Sequence, residues 1–369
     1  MSISISSNAN FKKQLKNFVA LNLCNFAPLN QNRYIYKMIL VTGGTGLVGA
    51  HLLLHLIENG ENVRAIYRTQ NNIQKTKSVF EIYGKTDLFE KINWVEADIL
   101  DVPSLEIAFT DIEYVYHCAA FISFDPKDEI ILRKTNIEGT ANMVNFSIAK
   151  VVKKFCYVSS IAALGDLAPH ETIITEETDW NPEKPHSDYA ISKYGAEMEV
   201  WRGLQEGLDV IIINPGVILG PIPKTKNAEG SAQLYVRVAN GLPFYTLGNT
   251  GFIAINDVVR IALELMRSDI KNERFTLISD NIVFRDILNT IADVLKVKKP
   301  RFHAGPVFMN FLWIADGIFS TLFFQQRRVT KATAKASYSK NLYSNEKIKT
   351  ALGTVFLDVH QYIKDVSKL

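Results

Sequence analysis

A tyrosine and a lysine, four residues apart, form the first pair that could do chemistry. Tyr189-Ala190-Ile191-Ser192-Lys193 places a phenol and an ammonium one helical turn apart on the same face of a predicted helix. A tyrosine titrates near about pH 10 unaided, which makes it a poor acid–base catalyst at neutral pH. A nearby cation favours the phenolate and lowers the pKa. The pair therefore indicates proton exchange by Tyr189, with Lys193 as its tuning partner, although such pairs also occur on ordinary helix surfaces.

Two serines strengthen this interpretation. Ser159 and Ser160 close a segment that is typical of a buried strand. A hydroxyl there can hydrogen-bond a substrate carbonyl and the phenol beside it. A serine at the end of a strand is more often a helix cap or a turn former, so the argument rests on its combination with Tyr189 and Lys193.

A glycine-rich segment predicts the cofactor. An apolar run ends in Gly43, Gly46 and Gly49, and apolar residues at helical spacing follow at once. The first glycine permits a tight turn, the second lets the backbone approach a pyrophosphate, and the third lets the helix pack closely on the strand. Strand, glycine turn and helix together predict a dinucleotide site at a helix N-terminus. Lys193 could then also hold the nicotinamide ribose hydroxyls.

The elements that position these residues alternate. Over about 180 residues, strands alternate with helices, which predicts an α/β fold with a Rossmann doubly wound parallel sheet and a smaller C-terminal substrate lobe. Ligands of such sheets bind beyond the carboxyl ends of the strands. The predicted strands are 39–42, 63–67, 92–97, 114–116, 155–160, 210–214 and 275–278. The predicted helices are 73–83, 104–109, 137–150, 189–205, 257–266 and 284–295.

The 369 residues are predicted to divide into three parts. Residues 1–37 are polar and low in complexity at first and precede Met38, which stands directly before the first strand, so we expect a dispensable extension. An amphipathic targeting helix there is the rival interpretation. Residues 38–215 are predicted to form the NAD(P)-binding Rossmann domain. Residues 216–369 are predicted to form a substrate-binding lobe that is interleaved with the last strands of the sheet.

Composition excludes several kinds of partner. Apolar residues make up 47% of the chain and the net charge is +3, which favours a sizeable core and no polyanionic partner. No basic cluster with interleaved aromatic residues stands out, so we expect no nucleic acid. The three cysteines and seven histidines show no metal-ligand spacing, so we expect no metal. The sparse cysteines suit a reducing, cytoplasmic location.

From Met38 to Leu369 the chain resembles the extended short-chain dehydrogenase/reductase family. Seven segments in the family's order carry the resemblance: Thr42-Gly43-Gly44-Thr45-Gly46-Leu47-Val48-Gly49, Asp98-Ile99, His117-Cys118-Ala119-Ala120, Asn136-Ile137-Glu138-Gly139-Thr140, Tyr157-Val158-Ser159-Ser160, Tyr189 to Lys193, and Asn214-Pro215-Gly216-Val217. The resemblance implies that Tyr189 is the general acid, Lys193 its tuning partner, Ser160 rather than Ser159 the carbonyl orienter, and Asn136 a structural or proton-relay residue. It also implies cofactor contacts by Gly43, Thr45, Gly46, Leu47, Val48, Gly49, Asp98, Ile99, His117, Ala119, Ala120, Tyr189, Lys193, Pro215 and Val217.

The end of the second strand decides between the two dinucleotides. An NAD-preferring site places Asp or Glu there, on the ribose 2′-hydroxyl. Here the strand ends in Ile66-Tyr67-Arg68-Thr69, without a carboxylate. Arg68 offers a planar cation that suits a 2′-phosphate, and Lys75 follows after a short loop. The pattern favours NADP over NAD, and the alternative is that Arg68 is a solvated charge at the strand end.

The absence of residues that other branches of the family carry indicates the branch to which this chain is most similar. Dehydratases place an Asp-Glu pair after the catalytic strand, whereas Ile161-Ala162-Ala163 follows here. The arginines that sugar-nucleotide enzymes of the family tend to carry are replaced by Thr250-Gly251-Phe252 and Ile212-Ile213-Asn214-Pro215. The chain is more similar to the dihydroflavonol 4-reductase-like and hydroxysteroid dehydrogenase branch, also in its pattern from Arg328 to Gly353. A sugar-nucleotide epimerase and a non-catalytic dinucleotide-binding protein remain the alternatives.

Substrate contacts are expected from Phe121, Phe124, Ser160, Gly216, the loop 222–230 and the aromatic C-terminal lobe. Their apolar character suggests a hydrophobic aldehyde, ketone or polycyclic alcohol. The apolar segment 307–324 is interrupted by Asn310, Asp316 and Gly317, which favours one or two packed helices over contact with a membrane. Homodimers are frequent in the family, and the helices that start at Asn136 and Tyr189 could provide that face.

Overall fold

The computed structural model describes residues 38–222, 230–322, 327 and 329–368. The predicted extension 1–37 and most of the predicted loop 222–230 lie outside the described residues, as do the end of segment 307–324 and Arg328 of the C-terminal pattern.

The core of the fold is a sheet of seven parallel strands. Its order is β10-β6-β5-β4-β1-β2-β3, and each neighbouring pair is parallel. The strands are β1 Ile39–Thr42, β2 Val63–Tyr67, β3 Asn93–Glu96, β4 Tyr114–His117, β5 Lys154–Val158, β6 Val210–Pro215 and β10 Glu273–Leu277. The chain order reverses between β1 and β4, where a doubly wound sheet opens its ligand crevice. The predicted fold class is confirmed.

Helices cover both faces of this sheet. Alternate side chains of β1 point to opposite faces, so Ile39 and Val41 join one apolar cluster and Leu40 joins the other. The helices are α1 Leu47–Glu58, α2 Ile73–Ile82, α3 Thr86–Phe89, α4 Val102–Ala108, α5 Glu129–Arg133, α6 Gly139–Ala149, α7 Asp188–Gln205, α8 Gln233–Ala239, α9 Ile255–Arg267, α10 Phe284–Leu295, α11 Pro306–Leu322, α12 Lys331–Tyr338, α13 Glu346–Leu352 and α14 Val359–Val366. Burial on both faces explains why these strands read as continuous apolar runs.

One helix begins earlier than the sequence predicted. The prediction placed its start at Ile137, whereas α5 begins at Glu129 and continues through a wide π turn, Lys134–Glu138, into α6. Asn136 therefore lies inside the helical segment and not at its end. Its side chain binds the backbone of a neighbouring loop, which is the kind of contact that local sequence patterns do not reveal.

The C-terminal part supplies two small sheets and returns one strand to the main sheet. β7 Val217–Leu219, β9 Asn249–Ala254 and β11 Asp280–Val283 form one, and β8 Phe244–Tyr245 pairs with β12 Phe302–His303. Among the described residues, no helix has the length and the hydrophobicity needed to cross a bilayer.

Candidate active site

The glycine loop between β1 and α1 is shaped for close approach. Gly43 has φ +65°, which favours glycine, and a Cβ at Gly49 would lie 2.2 Å from the Gly43 carbonyl oxygen. Gly46 precedes α1 without a capping side chain. The first N–H groups of that helix therefore have no side-chain acceptor, and they form the positive end of the helix dipole. These groups fit the pyrophosphate of a dinucleotide. Beside these groups, Leu47 is exposed, and Thr45 and Val48 are half-buried.

A second strand end offers a cation next to this loop. Arg68 follows β2, is exposed, and forms no hydrogen bond or ion pair with the described residues. Lys75 is exposed on α2. From the same helix, the buried Thr76 hydroxyl donates to the Gly44 carbonyl at 2.8 Å and so fixes α2 against the glycine loop. The sequence analysis did not identify Thr76.

Asp98 and Ile99 follow β3 and differ in exposure. Asp98 is half-buried, and its Oδ1 accepts from the Leu100 amide at 3.0 Å. The Ile99 side chain is buried, and a Cβ at Gly139 would lie 2.5 Å from its Cδ1. Ile99 therefore packs against α6, which leaves Asp98 as the more accessible of the two for a ligand.

His117 lies in the interior of the protein. Its Nδ1 is 2.7 Å from Thr42 Oγ1 and its Nε2 is 3.0 Å from Thr140 Oγ1. The Ala119 amide donates to the same Thr42 hydroxyl at 3.1 Å. The ring is fully buried, so it supports the cofactor loop from beneath, while Ala119 and Ala120 are the more accessible residues of this segment.

The same group of side chains reaches Lys193. The Tyr157 ring stacks on the His117 ring, with 5.5 Å between the centroids. Lys193 Nζ donates to Tyr157 Oη at 2.9 Å and to the Val158 carbonyl at 2.8 Å. Burial lowers the pKa of Lys193 to about 7, and the carboxylate of Glu197 partly offsets this shift. Side chains from β1, β4, α6, β5 and α7 thus connect the glycine loop to this lysine.

Tyr189 and Ser160 meet at the end of β5. Tyr189 stands in the first turn of α7, which is capped by the Ser187 hydroxyl. The Tyr189 phenol is buried and lies near enough to Ser160 for that residue to lower its pKa, and the Ser160 hydroxyl accepts from the Ala162 amide at 3.1 Å. Ser159 is buried with its hydroxyl turned away from the surface. The structure therefore brings Ser160, and not Ser159, to Tyr189.

The ionisation of Tyr189 in the protein alone is set by burial. Burial raises the pKa of Tyr189, and Ser160 offsets part of this rise. That Lys193 and the charge of an oxidised nicotinamide together lower the phenol pKa stays a prediction. Lys193 directs its hydrogen bonds at Tyr157 and Val158. In the protein alone Tyr189 is thus a protonated phenol at neutral pH.

Asn136 acts on backbone and on α7. Its Oδ1 accepts from the Phe121 amide at 2.7 Å, and its Nδ2 donates to the Phe121 carbonyl at 3.0 Å and to Ser192 Oγ at 2.9 Å. This buried amide fixes the loop after β4 against the helix that carries Tyr189. The geometry favours the structural alternative for Asn136.

Apolar residues border the phenol. The exposed Phe124 ring stands edge-to-face to Tyr189, with 5.4 Å between the ring centroids. Phe121 is half-buried in the same loop. At the neighbouring end of β6, Pro215 is buried, whereas Gly216 and Val217 are half-buried. The predicted substrate and nicotinamide-side residues thus lie at the carboxyl ends of β4, β5 and β6.

A buried charge network beneath the site was missed by the sequence analysis. Glu197, one turn beyond Lys193, is fully buried and accepts from Asn214 Nδ2 at 2.5 Å and from Arg274 at 3.2 Å. Asn214 also donates to the Ser160 carbonyl at 2.9 Å. Burial raises the pKa of Glu197, and Arg274 opposes the rise. The spacing 189, 193, 197 on one helix face was the available signal.

The buried histidine predicts a pH dependence of stability. Burial lowers the pKa of His117 to about 3 from its ordinary 6.5, and the nearby Lys193 charge adds to the shift. Between those two values the unfolded chain holds a proton that the folded protein does not, so the free energy of unfolding falls as pH decreases. Gln at this position cannot be protonated, but it keeps a donor and an acceptor for Thr42 and Thr140. From pH 6.5 to 5, wild type should lose about 2 kcal/mol more than His117→Gln in urea unfolding.

The comparison of wild type with His117→Gln is its own control, because the other buried titratable groups, such as His51 and Glu197, are present in both proteins. Parallel stability curves over this pH range would contradict the shift.

Known proteins resemble this chain in sequence and in fold. The NAD dependent epimerase/dehydratase family matches residues 39–277, which is well over half of the chain. The chain is 28% identical over 291 residues to sterol demethylase protein B of Methylococcus capsulatus, covering 78% of this chain and 84% of the relative. It is 26% identical over 332 residues to a putative dihydroflavonol 4-reductase of Synechocystis, covering 88% and 92%.

Two solved structures show the same fold. A yeast methylglyoxal/isovaleraldehyde reductase complexed with NADPH has a TM-score of 0.69 at 20% identity, covering 89% of this chain and 97% of that one. A UDP-glucose 4-epimerase with UDP-glucose from Thermotoga maritima also has a TM-score of 0.69, at 21% identity, covering 90% and 97%. The chain belongs to the NAD dependent epimerase/dehydratase family, and it is an NAD(P)-dependent oxidoreductase of the extended short-chain dehydrogenase/reductase type.

Proposed function

We propose that the chain is an NADPH-dependent carbonyl reductase that reduces apolar aldehydes or ketones, and that it oxidises the corresponding alcohols in reverse. The observation that carries this proposal is the buried Tyr189 phenol, which is close enough to Ser160 for that hydroxyl to lower its pKa, and which the Phe124 ring borders at 5.4 Å between ring centroids. A carbonyl that is being reduced needs a proton on its oxygen, and a phenol that is protonated at neutral pH holds one at this position.

The residues that would hold the dinucleotide surround the carboxyl ends of β1, β2 and β4. The N–H groups after Gly46 would bind the pyrophosphate, Asp98 would reach the adenine side, and Ala119 and Ala120 would border the middle of the cofactor. Lys193 would hold the nicotinamide ribose from below. When bound, a reduced nicotinamide supplies the hydride.

The remaining work falls to the protein's own side chains. Ser160 would donate its hydroxyl to the substrate carbonyl and orient it toward Tyr189, which would then transfer its proton to the carbonyl oxygen. Lys193, which donates a hydrogen bond to Tyr157, would keep the nicotinamide ribose in a fixed position relative to the Tyr189 phenol. Glu197 and Asn214 would hold the Ser160 backbone in place. Asn136 would position the Phe121 loop over the site.

Arg68 supports NADP over NAD. We expect Arg68→Ala to weaken NADPH binding by about 10- to 100-fold and to change NADH binding little, because a guanidinium–phosphate pair is a charge-assisted hydrogen bond. Fluorescence titration with both nucleotides measures the ratio. Lys91→Ala is the matched control, since it removes one exposed positive charge before β3, at the amino ends of the strands, whereas Arg68 follows the carboxyl end of β2. Equal nucleotide ratios in Arg68→Ala and wild type would contradict the assignment.

The apolar substrate class rests on the walls and on the relatives. Phe121 and Phe124 line the approach to Tyr189. The curated relatives include a putative dihydroflavonol 4-reductase and a sterol demethylase protein, whose names refer to polycyclic compounds. Both observations favour a hydrophobic or polycyclic carbonyl over a sugar nucleotide. Sugar-nucleotide enzymes of the family tend to carry an arginine in the segment where this chain has Thr250-Gly251-Phe252, and a Cβ at Gly251 would already lie 2.3 Å from Ile278 Cγ2.

The direct test follows NADPH oxidation with a panel of aliphatic and aromatic aldehydes, ketones and ketosteroids, with UDP-glucose in a parallel assay for epimerisation. Turnover of apolar carbonyls without epimerisation supports the proposal. Interconversion of the UDP-sugar would establish the epimerase alternative. Nucleotide binding without turnover of any compound would favour the non-catalytic alternative.

A further inference from the structure

Helix α11 carries an apolar stripe that faces solvent. Its members lie at intervals of three and four residues and therefore on one side of the helix. We call them the α11 face: Val307, Phe311, Ile314, Ile318 and Leu322. Val307 is 85%, Phe311 67% and Leu322 68% exposed. The sequence favoured packed helices for this segment, and the structure packs only one side of α11.

The stripe extends beyond the helix through aromatic rings. Phe308 is exposed on α11, and its ring centroid lies 5.0 Å from that of Phe244. Phe302, on β12, is 62% exposed and packs against the same ring at 6.1 Å. Phe319 is exposed as well. Exposed apolar patches of this extent on a folded domain mark a binding surface.

The opposite side of α11 is firmly attached to the lobe. Gly317 and Ser320 are buried where α11 packs on α12. The Asp316 carboxylate accepts from the Val329 amide at 3.1 Å, and the Arg327 guanidinium lies beside Gly317. The helix is thus held in one orientation, with the α11 face outward.

The chain around α11 is rich in basic residues, although the exposed Lys299 pairs with Asp293 at 2.8 Å. Residues 296–340 contain nine Lys and Arg residues and a single acidic residue, Asp316, whereas the whole chain has a net charge of only +3. Lys296, Lys298 and Arg301 are exposed before the helix, and Lys331 and Lys335 are exposed after it. The sequence analysis expected no basic cluster with interleaved aromatic residues, because these cations precede and follow the apolar stripe along the chain.

We propose that the α11 face binds the surface of a membrane that contains anionic lipid. Apolar and aromatic side chains on one face of a helix enter the boundary between headgroups and acyl chains, and basic residues beside them bind anionic headgroups. A second copy of this chain would bring two sets of like charges together across a symmetric interface. Nucleic acid would match the cations but would leave the apolar stripe without a partner.

This contact is peripheral. The described helices include none that could span a bilayer, and the candidate active site lies at the carboxyl ends of the strands of the main sheet. The proposal does not depend on the proposed carbonyl reductase activity, and its test needs no substrate.

The test is flotation of the full-length protein with vesicles. We expect binding to phosphatidylcholine vesicles with about 30% phosphatidylserine in about 0.1 M salt, and at least roughly tenfold weaker binding both to pure phosphatidylcholine and in about 0.5 M salt. The double variant Phe311→Glu/Ile318→Glu should lower the partition coefficient by roughly 100-fold. Lys331→Gln/Lys335→Gln should lower it by roughly tenfold and reduce the salt dependence.

The matched control is Ile107→Glu/Val355→Glu, which adds the same two charges at exposed apolar positions elsewhere. It should float like wild type, and thermal unfolding should show that all variants are folded, because every substituted side chain is exposed. Three results would overturn the proposal. In the first, wild type fails to float with anionic vesicles. In the second, Phe311→Glu/Ile318→Glu floats as wild type does. In the third, wild type without vesicles is a dimer that this variant converts to a monomer, which would make a second copy the occupant.

Discussion

Tyr189→Phe is expected to lower kcat/KM for carbonyl reduction by about 10²- to 10⁴-fold and to leave NADPH binding unchanged. The phenylalanine keeps the ring that packs against Phe124 but removes the hydroxyl that Ser160 contacts. A positioned general acid contributes a factor of this size. Steady-state kinetics with the best substrate of the panel gives the rate loss, and fluorescence titration with NADPH gives the affinity.

Tyr194→Phe is the matched control on the same helix. Its ring stacks on Trp180 at 4.3 Å between centroids, apart from Ser160, and its hydroxyl should not affect turnover. Unchanged turnover in Tyr189→Phe would exclude Tyr189 as proton donor. A comparable loss in both variants would mean that the effect comes from the packing of α7 and not from proton transfer.

Gly49→Ala is expected to remove cofactor binding and to destabilise the fold. The added Cβ would lie 2.2 Å from the Gly43 carbonyl oxygen and 2.9 Å from Gly44 Cα, which are backbone atoms of the same loop. Either α1 or the loop must therefore move, at a cost of about 1–3 kcal/mol in the free energy of unfolding. Since the pyrophosphate depends on the position of this loop, NADPH affinity should fall by roughly 100-fold or more.

Two other glycines separate stability from cofactor binding. In Gly46→Ala the added Cβ lies 3.3 Å from the Gly43 carbonyl oxygen, so we expect little loss of stability but weaker NADPH binding, because the methyl group would stand where the pyrophosphate approaches. In Gly60→Ala nothing lies within 4 Å, but φ is +76°, so stability should fall by about 1 kcal/mol with affinity unchanged. If Gly49→Ala bound NADPH like wild type, the glycine loop would not be the cofactor site.

Some features of this protein follow from short stretches of sequence. The glycine turn, the strand at Val63–Tyr67 and the helix that carries Tyr189 and Lys193 were all predicted within a residue or two. The reason is that these segments carry their own signals: apolar periodicity, caps and glycines act within a few residues. The order of such segments also led to the family and to the doubly wound sheet.

The ionisation states were decided by packing. In the protein alone, burial raises the pKa of Tyr189 and lowers the pKa of Lys193. The partners that hold Lys193 and Ser160 come from distant parts of the chain, Tyr157 and Asn214 among them. Desolvation depends on everything that packs around a group, and no local pattern encodes it.

Local sequence patterns also did not show how His117, Ile99 and α11 are buried. The resemblance placed His117 and Ile99 beside the cofactor, but the structure buries both side chains. The apolar pattern of α11 predicted a packed helix, and among the described residues only one side of α11 is packed. A sequence determines which residues can be buried, and the tertiary structure decides which of them find a partner. For this protein the sequence by itself predicted the fold and the NAD(P)-dependent oxidoreductase class, and it proposed the Ser160, Tyr189 and Lys193 set. Only the tertiary structure decided how these groups are held and protonated, because their neighbours are far apart in the chain.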